Sequence, residues 1–155
     1  MIVGGSFMTN VEIFDKYLEE NKIYMLKGTN VEGFTHYSFP EKITVDGVEK
    51  RVLGGGTVRR ALIALKNDDN YADIFCFNIT NIPEKVDLYK LYTVLNELNT
   101  TYKFITFYEV NDMVSVKSCM PFTKENFDPQ QAFQILSIIF KSVEAQYSRI
   151  VSTLQ

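Results

Sequence analysis

The chain has no tryptophan, one histidine, two cysteines and four prolines among 155 residues. These shortages exclude several kinds of chemistry. A zinc site needs four protein ligands, or three and a water. His36, Cys76 and Cys119 are too few and too scattered in sequence to supply them. Two distant cysteines are also no disulfide framework. Cys76 lies in the apolar run Ile74–Ile79 and Cys119 follows Met113–Ser118, so both read as reduced thiols, Cys76 in the core. General acid–base work by His36 would need a positioned partner, and no carboxylate adjoins it in Phe34–Phe39. No other catalytic constellation is visible, and no cofactor-binding or metal-ligating set. The expectation is a protein that is not an enzyme.

Long apolar runs and basic stripes are missing too. No segment reaches the length of a bilayer span. Met1–Phe7 has neither a basic start nor room for a signal-peptide core. A cytoplasmic protein with no membrane contact is expected. Residues 1–80 carry nine basic and eleven acidic side chains, and residues 81–155 carry seven and eight. A nucleic-acid binder needs clustered cations to displace counterions, so no nucleic-acid partner is expected.

What is present is an ordinary globular composition, 46% hydrophobic and 23% charged, which suits one domain over 1–155. Residues 1–8 read as a disordered start, with Met8 as an alternative initiator. Thr9-Asn10-Val11-Glu12 has capping-box form and opens a helix to about Asn21, with Val11, Phe14, Tyr17 and Leu18 as its stripe. Ile23–Ile79 reads as mostly β. Phe34–Phe39 is a strand candidate. Ile43–Val45 and Val48–Leu53 flank Asp46-Gly47, a two-residue hairpin signal. Thr57–Leu65 and Tyr71–Ile79 flank a second turn, Lys66–Asn70. Val58–Leu65 fits either a strand or a helical period; its shortness between turns favours strand. A helix over Pro83–Asn99 follows, opening at Pro83, with Leu88, Leu91, Tyr92, Leu95 and Leu98 on one face. Thr101–Glu109 and Met113–Ser118 form a further hairpin around Asn111-Asp112. The order is N-terminal helix, antiparallel sheet of hairpins, middle helix, hairpin and long C-terminal helix: an α+β fold.

That last helix has Asp128 as N-cap, Pro129 at its first position and Phe133, Leu136, Phe140, Val143, Tyr147, Ile150 and Leu154 in 3,4 spacing. Ile135, Ile138 and Ile139 lie roughly 100–120° around from that stripe, at about 100° per residue. They form a second apolar face, either core or a protein-interaction surface. A homodimer through this helix or a strand edge is the corresponding expectation.

Two polar clusters stand out. Gly54-Gly55-Gly56-Thr57 lacks the Gly-Lys-Ser/Thr of a P-loop, yet Gly55, Gly56, Arg59 and Arg60 are candidate anion contacts. A simple turn or bulge is the plainer reading. Asn67–Asn70 is rich in oxygen but lacks EF-hand spacing, and reads as a turn.

Leu95-Asn-Glu-Leu-Asn99, the strands Tyr102–Tyr108 and Val114–Ser118, and Phe127-Asp-Pro-Gln-Gln131 resemble the YbjN family. The resemblance runs over residues 88–154. It implies a type III secretion chaperone-like fold, a twisted antiparallel sheet backed by helices. It also implies a non-enzymatic, regulatory or chaperone-like role exerted on a protein partner. The alternative is a small-molecule or anion-sensing module built on the Gly54–Arg60 turn.

Overall fold

Helix α1 (Asn10–Glu20) begins at the capping box. The Thr9 hydroxyl accepts from the Glu12 N–H at 3.1 Å, and the Glu12 carboxylate accepts from the Thr9 N–H at 3.1 Å. Two free N–H groups at the helix start are thereby satisfied. The computed structural model describes residues 2–3, 6–55, 59–123 and 126–155. Ahead of α1, within the stretch read as a disordered start, β1 (Ile2–Val3) and β2 (Ser6–Phe7) pair antiparallel.

Eight strands follow in two sheets. They are β3 (Leu26–Thr29), β4 (Thr35–Ser38), β5 (Lys42–Val45), β6 (Val48–Arg51), β7 (Arg60–Leu65), β8 (Tyr71–Asn81), β9 (Thr106–Val110) and β10 (Met113–Pro121). Six of them form one antiparallel sheet in the order β3-β4-β7-β8-β10-β9. Strands β5 and β6 pair only with each other and make a separate arm. Asp46 and Gly47 turn the arm with φ of 52° and 78°, the left-handed pair a tight hairpin requires. Asn111 and Asp112 do the same between β9 and β10, at 50° and 57°. Strand β7 settles the strand-or-helix ambiguity from Arg60 onward; Gly56, Thr57 and Val58 lie outside the described residues. Strand β3 was not singled out within the β-rich region. It is exposed along its length and carries no apolar alternation to announce it.

Helix α2 (Leu88–Thr101) starts later than Pro83. Lys85 has φ of 62°, which no helix interior accepts, and the Asp87 carboxylate caps the Tyr89 N–H at 3.0 Å. Thr101 correspondingly ends α2 rather than starting a strand, and β9 begins at Thr106. Helix α3 (Pro129–Ser152) starts at its expected cap, with Asp128 accepting from the Gln130 N–H at 3.0 Å.

All three helices cover one face of the sheet. That face carries Tyr37, Ile63, Leu65, Ile74, Cys76, Val116 and Phe107, each at most 1% exposed. Helix α3 lies against β8 and β10, α2 against β9, and α1 against the first half of α3. The opposite face bears Phe75 and Phe77, stacked at 5.0 Å, with Arg60, Lys117 and Cys119. None of the described helices packs on it.

The phase of α3 differs from the sequence expectation. Pro129, Ala132, Ile135, Leu136, Ile139, Ser142, Val143 and Ile150 are its buried residues. Phe133 and Phe140 are half-buried at the flank and Tyr147 is 40% exposed. Small residues at 132 and 142 flank Ile135, Leu136, Ile139 and Val143, so the contact with the strands is centred near Ile139. Ile135 and Ile139 are therefore core residues, not a protein-interaction surface; Ile138 alone of the three is exposed. Phe133 is covered within the chain, stacking on Phe14 and Tyr17 of α1 at 5.8 Å each. Of the second apolar face, Ile135 and Ile139 thus have their cover within the chain and Ile138 does not.

Candidate functional site

The arm leaves the sheet after Pro40 and returns at Gly54. Its base is closed by the Val52 N–H donating to the Glu41 carbonyl at 3.0 Å. Gly54 then turns with φ of 78°, and a Cβ there would stand 2.7 Å from Phe140 Cζ and 2.8 Å from Ala61 Cβ. Only glycine combines that backbone with that approach. A Cβ on Gly55 would run into the Pro40 carbonyl oxygen. The glycines thus seat the arm against the flank of α3.

A groove results, with α3 as one wall and the arm's base as the other. It has three connected hollows that share Leu53, of about 290, 610 and 540 Å³. The first runs beside Phe133 and Phe140, the second beside Val143, Glu144 and Tyr147, and the third reaches Arg51, Arg59 and Asn78. Leu53 overhangs it with 63% of its surface exposed. The groove is apolar in its first two thirds and turns basic at its end, where no acidic side chain lines it.

Arg59 is the polar feature of that end. One of its N–H groups donates to the Ile79 carbonyl at 3.3 Å, and the guanidinium lies over the Tyr147 ring at 5.2 Å. Among the described residues it has no carboxylate in ion-pair range. Asn78 faces the same hollow. Val116 pairs with Cys76 but Val114 with Thr80, four steps along β8 against two along β10. This bulge puts Asn78 at φ of 58°, with its N–H donating to Ser115 Oγ at 3.1 Å. Its side-chain oxygen is buried and accepts no hydrogen bond among the described residues.

Of the anion candidates, Gly55 and Arg59 line the same hollow and Arg60 does not. Arg60 sits on the open face of the sheet and donates to Ser38 Oγ at 3.3 Å, away from Arg59. The Gly55 N–H is already given to the Val52 carbonyl at 3.0 Å, and Gly56 lies outside the described residues. The grouping read from Gly55, Gly56, Arg59 and Arg60 is therefore corrected at Arg60, while Arg51 and Asn78 line the hollow beside Gly55 and Arg59. Arg51 had no sequence signal, because only the arm's return carries it back to the sheet. The Asn67–Asn70 turn serves α1 instead of a cation: Asn67 Oδ1 accepts from the Val11 N–H at 3.1 Å, and Asn10 donates to the Lys66 and Asp69 carbonyls at 2.9 Å each.

The remaining reactive groups lie elsewhere. His36 is on the open face with Nε2 buried and unpartnered among the described residues. Cys119 is there too, opposite Asp73, beside a hollow of about 410 Å³. Burial, then the Asp73 charge and hydrogen bond, push its thiol above the ordinary range, the reverse of nucleophile activation. Burial likewise pushes the Cys76 thiol up to about 11, with Arg59 opposing. No described group of three or more His, Cys, Asp or Glu could hold a metal ion, and no described helix is long and apolar enough to cross a membrane. No protein family, curated protein or solved structure gives a significant match to this chain.

Proposed function

We propose that the protein is a non-enzymatic binding module, chaperone-like or regulatory, that takes a polypeptide segment into the groove between α3 and the β5–β6 arm. The observation that carries this reading is the continuity of the groove from Phe133 to Tyr147 under an overhanging, exposed Leu53. An apolar channel of that kind suits the side chains of a chain segment better than one compact small molecule. The resemblance to the YbjN family over 88–154 supports the same class of role. The small-anion alternative draws less support, since Arg60 and the Gly55 N–H are committed away from the hollow.

Retention on immobilised random-sequence peptides tests this reading. Wild-type protein is expected to be retained by a subset of them. Leu53→Asp and Tyr147→Asp should each weaken retention about tenfold, the loss of about 1.4 kcal/mol on placing a charge in an apolar contact. Ile138→Asp, on the exposed side of α3 and outside the groove lining, should not. Failure of the wild type to be retained, or equal retention of all four proteins, refutes the groove.

A further inference from the structure

We propose that the Arg51–Arg59–Asn78 end of the groove is a carboxylate subsite, so that the bound segment carries an aspartate or glutamate beside its apolar anchor. The inference rests on the polypeptide reading above and deepens it. Three observations converge. Among the described residues, the hollow of about 540 Å³ is lined by two arginines and no acidic residue, on a chain whose net charge is −3. A basic site on an acidic protein is complementary to an anion, and the surrounding charge disfavours anions elsewhere. Arg59 is preorganised: Tyr147 lies beneath its plane and the Ile79 carbonyl fixes one N–H, leaving the other donors of its fork for an incoming carboxylate.

The lining around the arginines decides between kinds of anion. Asn78 lines the basic hollow, but its unfilled side-chain oxygen is itself buried and does not choose the ligand. The continuity with the apolar hollows does: an extended polypeptide sets an acidic side chain on Arg59, with Arg51 alongside, while its neighbours stay in apolar contact, which a free inorganic anion cannot do. The apolar hollows beside Val143 and Phe140 then receive the adjoining side chains.

The test is selection from a random-sequence displayed peptide library on wild type and on Arg59→Gln. The expected result is enrichment of Asp or Glu next to large apolar residues on wild type only. A selected acidic peptide should bind Arg59→Gln about tenfold more weakly or worse, the loss of a charge-assisted hydrogen bond. The same peptide with Glu changed to Gln should bind both proteins alike. Arg59→Lys should recover part of the difference. If Arg59→Gln fails to fold, Arg51→Gln on the exposed arm supplies the same comparison. Apolar enrichment without acidic enrichment, or equal affinity of the acidic peptide for both proteins, overturns the carboxylate subsite and leaves the groove standing. No enriched peptides at all overturns both. Thermal stabilisation by inorganic phosphate that disappears in Arg59→Gln, with no peptide selected, would mean a free-anion site and would also overturn the proposal.

Discussion

Single side chains here show how burial redirects chemistry. Tyr37 is 1% exposed, yet its hydroxyl donates to Asp15 Oδ1 at 2.7 Å while Lys27 donates to Asp15 Oδ2 at 2.7 Å. The trio ties α1 to β3 and β4 without leaving a polar atom stranded. Cys76 has no such partner, and its thiol stays protonated up to about 11 against an ordinary 9.0. The folded chain thus holds this proton more tightly than the unfolded one. The contribution to stability is whole below pH 9 and is lost as pH rises from 9 towards about 11. Urea midpoints followed over that interval should fall for wild type and fall less steeply for Cys76→Ala, after allowing for its lower starting stability. Parallel slopes would mean that the thiol is hydrated in the folded protein.

At the scale of elements, α3 is the informative case. Its 24 residues span about 36 Å and touch the sheet, α1, α2 and the turn at Gly54. Arg149 pairs with Glu97 of α2, and Gln146 donates to the Tyr102 hydroxyl at 3.1 Å, which sets the second half of the helix against α2. The buried line through Ile135 and Ile139 makes a clear energetic ranking. Ile139→Ala should cost on the order of 2–5 kcal/mol by chemical denaturation, because it empties a filled site. Ile138→Ala should cost less than about 1 kcal/mol. The opposite ranking would put Ile138 instead of Ile139 on the buried line and would overturn the helix phase seen here. Part of this was readable from residues alone: the cap at Asp128, the start at Pro129 and the helical period. The phase was not, because two neighbouring stripes share that period and only packing against the strands chooses between them.

For the whole molecule, the division between sheet and arm matters most. Every residue of β5 and β6 is exposed, so the arm adds little to the core, and of its strands only Arg51 lines the groove. Replacing residues 42–51 by a short Gly-Ser link should leave the six-stranded sheet folded, with a thermal midpoint close to wild type. Retention of acidic peptides should weaken in the same protein, because Arg51 goes with the arm. Global unfolding of that variant would show instead that the arm belongs to the cooperative core. The helix-free face of the sheet, with Phe75 and Phe77 on it, is the other large surface left open by this arrangement.

Local physics was decided by the chain itself. The capping box at Thr9, the hairpins at Asp46-Gly47 and Asn111-Asp112, and the α+β order all depend on residues within a few positions of each other. The opposite placement of Arg59 and Arg60 was also legible in principle, because neighbours along an extended strand alternate faces. Tertiary structure alone decided the rest. Asn78 turns into the groove because Ser115, thirty-seven positions away, holds its N–H at a bulge. Asn67 caps α1 because the β7–β8 turn folds back onto it. Arg51 joins Arg59 because Gly54 and Gly55 let the arm close on α3 and Pro40. Each of these contacts joins segments far apart in sequence, and their positions follow from packing the whole sheet and its helices rather than from any local preference of the residues concerned.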